Sequence, residues 1–498
     1  MRNYIVLFVG CLLFHLAGTW SLPLIDRDEP RFAEAAREMR ERGDFIVPFF
    51  NDQFRFDKPP FTYWFQVASY RVFGENDFAA RFPTAVAAAL VALVLFGWGK
   101  RVRDEKIGWW AAIIFTLSLQ SFIHGKAAVA DMWLVLFVTI AHWAGWELFN
   151  ANTEHRKSLR AVGSTKPEAN ISPSRRLYEA GGERRTVFWW TFYFSLALAF
   201  LAKGPIGWTP LLTVAIAQRF YRQNNFTARF KFVRGLFLML VLVCLWGIPA
   251  LVRTHGEFFR IGIGKHVVAR SVATMEGHGA SSVWMYLALL PFYFVTVFAS
   301  FFPWSIKLSA LWKNLRAQRD GTDQFLLAGA LVIFGIFTLV QTKLPHYTLP
   351  AFPLLALLVA RRFEPLRLSR ALPIVMTAVY LAIALFVSPF LVRFFPSYVL
   401  ARDSRPSLKP EMEFGAVEFT EPSLVWYFRD RIHGFMTPLK RKDASVFMSR
   451  SGSRFIVLPT ASATEIFPNV DASWRSYRAI GFNIPKGQRV DLTMLVKD

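Results

Sequence analysis

What most limits this chain is a series of apolar runs, about eleven of them, each approaching the 17–25 residues that a helix needs to cross a bilayer. They fall near 4–22, 79–98, 107–123, 129–149, 187–202, 205–221, 232–252, 284–304, 325–341, 345–360 and 371–392. Hydrocarbon offers a peptide group no hydrogen-bond partner, so runs of this kind cross as helices. The fold expected is mainly α and polytopic. Composition agrees: 54% of the 498 residues are hydrophobic and 19% charged, more apolar and less charged than a soluble domain. That excludes a disordered chain, a disulfide scaffold and an ordinary cytosolic enzyme. Cys11 and Cys244 both lie inside apolar runs and read as small buried or lipid-facing residues, not as a bonded pair.

The net charge of +23 raises the question of nucleic acid. The cations, however, sit in loops between apolar runs, where membrane topology demands them. No RNA-binding motif is visible. The N-terminal run continues to about Leu24 without a small-x-small cleavage site, so it reads as a retained first helix. With the N-terminus cytoplasmic, the loops 99–106, 150–186, 218–231, 305–324 and 361–370 face the cytoplasm, all rich in Lys and Arg. The short loops opposite carry one lysine each, Lys126, Lys203 and Lys343. An odd number of spans places the C-terminus on the outer, periplasmic side. Segment 150–186 reads as a flexible cytoplasmic loop. Segments 23–78 and 253–283 and the tail from about 393 then face outward. The tail has strand-like pieces, Arg454–Leu458 and Asp491–Val496, and reads as a small α/β domain. Two domains follow: 1–392 in the membrane and 393–498 outside it.

Several polar residues are costly where they stand. Asp28 and Glu29 precede a helix over about 30–42, with Pro30 in its first turn and acids at its positive end. Phe32, Ala35, Ala36 and Met39 share one face with charges around it, the pattern of an amphipathic helix lying in the interface. Asp57-Lys58-Pro59-Pro60 sets a rigid entry into an aromatic helix and holds Lys58 at the membrane boundary. Asp131 lies about one turn into a span and is a functional candidate by default; a structural pair with Lys126 is the other reading. Lys265, His266, Arg270, Glu276 and His278 occupy the second outer loop, and Lys203 and Lys343-Leu-Pro-His346-Tyr347 cap short turns. The topology gathers Asp28, Lys58, Asp131, Lys203, His266, Arg270, Lys343 and His346 on one side. The cytoplasmic side has many cations and few carboxylates embedded beside spans, which marks the outer face as the chemical one. A few carboxylates among lysines and arginines at the lipid boundary suit a phosphate ligand with a lipid tail: cations bind the phosphate and aromatic spans hold the tail.

These residues resemble a known family. Asp28-Glu29-Pro30-Arg31-Phe32 with Glu-Met at 38–39, then Gly43-Asp-Phe-Ile-Val-Pro48, then Phe56-Asp57-Lys58-Pro59-Pro60 with Tyr63-Trp64, is similar to the first periplasmic loop of the ArnT-like GT-C glycosyltransferases, relatives of the protein O-mannosyltransferases. The likeness covers about residues 5–360 and continues weakly at Glu421–Tyr427. It implies a GT-C fold of about 11–13 transmembrane helices and a multi-pass protein of the cell inner membrane. It also implies transfer of a sugar, aminoarabinose or another pentose or hexose, from a polyprenyl (undecaprenyl) phosphate donor to lipid A or another envelope acceptor, with inversion. Asp28 matches the catalytic acid and Asp131 a second functional aspartate. Lys58 matches the phosphate-holding lysine and Arg270 an arginine that assists it. Arg31, Lys203, Lys343 and Tyr347 fall among the polar residues that line the cavity and are expected to help bind the donor phosphate.

Two positions depart from the pattern: Asp57 stands where Glu is usual, and Phe32 where Tyr is usual after the Arg. The family associates a metal with that acid and a loop histidine, here Asp57 and His266. The shorter Asp weakens such a site, two ligands do not close a zinc site, and cations can do the same work, so no cofactor is required. An O-mannosyltransferase acting on Ser/Thr is the nearest rival. A flippase for the same lipids would need repeat symmetry and polar groups at mid-membrane, and neither is evident.

Overall fold

The computed structural model describes residues 1–162, 173–221, 226–269, 282–363 and 370–498, without the side chains of 151–182, 220–226, 263 and 265–269. It is mostly helical. Among the described residues, six helices are long and apolar enough to cross a membrane singly: Asp77–Val102, Asp131–Asn150, Glu183–Lys203, Thr227–Arg253, Gly321–Leu339 and Ala371–Phe394. The bent pair Val283–Leu289 and Phe292–Ser300 adds a seventh if it is one span. This is a multi-pass membrane protein.

The other expected runs are helical but interrupted. The first gives α1 (Arg2–Leu16), and the run at 107–123 gives α5 (Glu105–Thr116) and α6 (Leu119–His124). The runs at 205–221 and 345–360 each begin with a 3-10 turn, Pro205–Trp208 and Pro345–Ala351. A proline lacks the N–H that an α-helix would use, so the chain enters these helices through a tighter turn. Mean apolarity does not register such breaks. The expected loop at 150–186 is also shorter than anticipated, because α7 (Asp131–Val162) and α8 (Pro173–Lys203) run into it from both sides.

Helix α2 (Asp28–Arg42) starts where the acids and Pro30 place it and ends at Gly43, whose φ of 66° is the left-handed geometry glycine adopts readily. It is not the half-exposed interface helix expected. Glu34, Arg37 and Glu38 are as buried as Phe32 and Met39. The cause is the tail, which covers the charged face. There, β3 (Glu413–Val417), β4 (Met436–Leu439), β5 (Arg454–Pro459), β6 (Arg475–Asn483) and β7 (Gln488–Lys497) form one sheet in the order β4-β3-β5-β7-β6. The first three are parallel and the last two antiparallel to their neighbours.

The segment after β3 carries the clamp. Arg429 pairs with Glu34 and, at 2.7 Å, with Glu41. Arg37 bonds Glu34 at 2.8 Å and the Trp426 carbonyl at 3.0 Å, and lies over the Trp426 ring. Trp426 and Tyr427 donate to Asp77 at 2.8 and 3.0 Å, at the start of α4 (Asp77–Val102). Buried ion pairs are tolerated where each charge finds partners, and here those partners join the sheet domain to the membrane domain.

Candidate active site

The double proline delivers α3 (Phe61–Phe73), with Pro60 as its N-cap. Just before it, Lys58 Nζ donates to Asp57 Oδ1 at 2.7 Å, and Arg55 reaches the other Asp57 oxygen at 3.5 Å. Arg55 also donates to the Tyr63 hydroxyl at 2.9 Å, and Phe32 stacks on Tyr63 at 5.3 Å. Phe32, which replaces a tyrosine of the family pattern, therefore packs as part of this wall. Asp28 is exposed in the first turn of α2, and its charge is felt at Arg55, Tyr63 and Lys203.

Asp131 is the first residue of α7 and Lys203 the last of α8. Antiparallel packing of the two helices brings those ends together, with Lys203 Nζ 2.6 Å from Asp131 Oδ1. Lys203 also lies 5.7 Å from the centre of the Tyr347 ring. Of the two sequence readings for Asp131, the pair with Lys126 does not form. The Lys126 ammonium is taken up by the carbonyls of Phe14, His15 and Ala17 at 2.7–3.0 Å, capping the end of α1.

Lys58, Lys203 and Tyr347 line a cavity of about 440 Å³ whose other walls are largely apolar, with Leu134, Ile206, Trp208, Leu211, Leu212 and Phe337 among them. Two ammonium groups at the rim of an apolar hollow form an amphiphilic receptacle: anion at one end, hydrocarbon along the rest. The site is therefore drawn from the 23–60 segment, the α7–α8 ends and the 345–351 turn.

Other expected site residues are placed differently. Lys343 is buried, and its ammonium donates to the carbonyls of Phe337, Thr338 and Val340. An ammonium has three donors, so Lys343 caps the end of the preceding helix and is not open to a ligand. Arg31 is half-buried beside Asp26. Arg270 lies outside the described residues, as do Glu276, His278 and the side chains of Lys265 and His266. The Asp57 oxygens face Lys58 and Arg55.

Sequence reasoning overlooked His124 and Asp26. His124, at the end of α6, meets His346 with ring centres 4.8 Å apart, both beside Asp131; the spacing 124–131–346 carries no signature. Asp26, next to Asp28, is turned into the domain junction, where its carboxylate accepts from the Ser423 N–H at 2.9 Å and from the Ser423 hydroxyl. Burial pushes the Asp26 carboxyl up to about 7, and burial together with Glu34 does the same to Glu38.

The solved structure of ArnT from Cupriavidus metallidurans bound to undecaprenyl phosphate superposes with a TM-score of 0.72 over 99% of this chain and 98% of that one, at 18% identity. The chain has the ArnT-like GT-C fold. Sequence matches agree with the ArnT-like fold. Residues 57–162 match the family described as dolichyl-phosphate-mannose-protein mannosyltransferase. An undecaprenyl phosphate-α-4-amino-4-deoxy-L-arabinose arabinosyl transferase of Sodalis glossinidius is 30% identical over 364 residues, 70% of this chain and 58% of that protein. Its counterpart in Edwardsiella ictaluri is 27% identical over 72% of this chain and 59% of its own length. An uncharacterized Aquifex aeolicus protein is 27% identical over 72% of each chain. This chain thus spans less than two thirds of the arabinosyl transferases' length.

Proposed function

We propose that this protein is an inner-membrane glycosyltransferase that moves a sugar from a polyprenyl phosphate to a cell-envelope acceptor on the periplasmic side. The observation that carries this reading is the cavity bounded by Lys58, Lys203 and Tyr347 with apolar walls beyond, at the end of the bundle that carries the sheet domain. The names of the arabinosyl transferases and the undecaprenyl phosphate of the Cupriavidus structure support a lipid-phosphate donor.

The donor phosphate sits against Lys58 and Lys203, and the isoprenoid follows the apolar wall. An acceptor oxygen attacks the anomeric carbon from the opposite face. The bond from that carbon to the phosphate oxygen breaks, and its electron pair leaves with the polyprenyl phosphate. Inversion follows from the single displacement. Negative charge grows on the phosphate as it departs, so the lysines act more strongly on the transition state than on the bound donor. Asp28, exposed beside Arg55 and the Lys58 turn, orients a hydroxyl acceptor and takes its proton. A phosphate acceptor is already anionic, and Asp28 then only orients it. The sugar is aminoarabinose or another pentose or hexose, and the acceptor is lipid A or another envelope molecule.

The test is transfer from a polyprenyl-phosphate sugar by purified Asp28→Asn. Activity should fall by about a hundredfold or more, with donor binding retained. Full activity in the variant removes Asp28 from the chemistry. Glycan and lipid analysis of a deletion strain identifies the acceptor.

A further inference from the structure

We propose that His124, Asp131 and His346 hold a divalent transition-metal ion of the zinc class, behind the Lys203–Tyr347 wall of the cavity. The three residues come from three elements: the last position of α6, the first of α7, and the 3-10 turn Pro345–Ala351. One ligand atom from each lies within 4.8 Å of the other two. Ligands around a tetrahedral ion at zinc–nitrogen and zinc–oxygen lengths are about 3.4 Å apart. Small side-chain rotations therefore close the set. Two imidazoles and one carboxylate leave a fourth position open and suit zinc better than magnesium or calcium, which take oxygen ligands.

The surroundings fit. Gln120 Nε2 lies 2.9 Å from His124 Nδ1; with the amide turned over so that its oxygen accepts the Nδ1 proton, the ring is fixed and Nε2 keeps its lone pair for an ion. Asp131 gives one oxygen to Lys203 and has a second to offer. The two imidazole rings, with centres 4.8 Å apart, would each turn a lone pair to a shared ion, and Asp131 would bridge it to Lys203. The inference rests on the reading of the cavity as the donor site for its purpose: the ion would hold Asp131 and Lys203 in place and add positive charge behind the departing phosphate.

The test needs no sugar donor. The full chain is purified in detergent, stripped with a chelator and titrated with zinc alone and with cobalt alone. We expect one ion per chain that is absent from the double variant His124→Ala/His346→Ala, and a cobalt visible spectrum of low coordination number that the double variant lacks. Gln120→Ala should weaken zinc binding by about tenfold or more. Undiminished metal content in the double variant, or no cobalt spectrum in the wild type, overturns the proposal. Should the double variant fail to fold, His124→Gln and His346→Gln are titrated singly, and unchanged affinity in both overturns it equally. Lys58→Ala separates this site from the donor reading, because it should keep the ion while losing donor affinity.

Discussion

Both ends of the helical bundle bury acids beside cations, and they use them differently. At the end away from the sheet domain, Asp323 is fully buried within a reciprocal capping box with Asp320, and Arg361 and Arg362 close on it. Glu147 is buried there too, 3.0 Å from Arg101. The sequence leads one to expect few embedded carboxylates at this end, and these two are locked against arginines. At the other end Asp57 and Asp131 are paired as well, but their partners Lys58 and Lys203 also line a cavity. What distinguishes a site from a structural lock is thus not the acid, the burial or the ion pair. It is whether the cation also borders space that a ligand can enter.

That difference predicts opposite consequences for single substitutions. Lys58→Ala should have the largest effect: transfer from a polyprenyl-phosphate sugar falls by about a hundredfold or more, as when one donor to a developing oxyanion is lost. The melting temperature should stay near that of the wild type. Unchanged donor affinity would remove Lys58 from the phosphate site. Asp323→Ala should do the reverse. It strands two arginines and a helix N-terminus, costs on the order of 3 kcal/mol, and lowers the melting temperature in detergent while the KM for donor holds. A raised KM there would show that the two ends are coupled.

Lys343→Met sharpens the comparison within one end. Three carbonyls lose their donor, at a cost of about 1–3 kcal/mol, and transfer should change by less than about twofold. A large rise in KM would return Lys343 to the donor site. The same residue shows where reading from sequence stops. Lys126, Lys203 and Lys343 look alike on paper, each a lone cation in a short loop. Two of them cap the C-terminal carbonyls of helices and one meets an aspartate, because helix packing decides which acceptors come within reach of an ammonium. Features set by local chemistry were legible: the Asp28-Glu29-Pro30 helix start, the rigid Lys58 entry, and the strands near 454 and 491. The burial of α2 was not, since it depends on Arg429 and Trp426, nearly 400 residues away in sequence. The pairing of His124 with His346 was hidden for the same reason.

The finest test lies at the domain junction, where Asp26 meets Ser423. Burial raises the Asp26 carboxyl to about 7 in the folded protein, against about 4 for an unfolded aspartate. The folded state therefore binds the proton more tightly than the unfolded state. The contribution of Asp26 to stability is fully present below about pH 4 and is lost as pH rises to about 7. Asp26→Asn keeps an acceptor for Ser423 and cannot ionise. Relative to wild type, the variant should gain melting temperature steadily between about pH 4 and pH 7, then hold its lead. Glu38 titrates in the same window in both proteins and cancels in the difference. A wild-type-to-variant gap that is flat across this range would mean that the Asp26 carboxyl reaches water, and that the sheet domain closes less tightly over the 23–60 segment than the Ser423 contacts indicate.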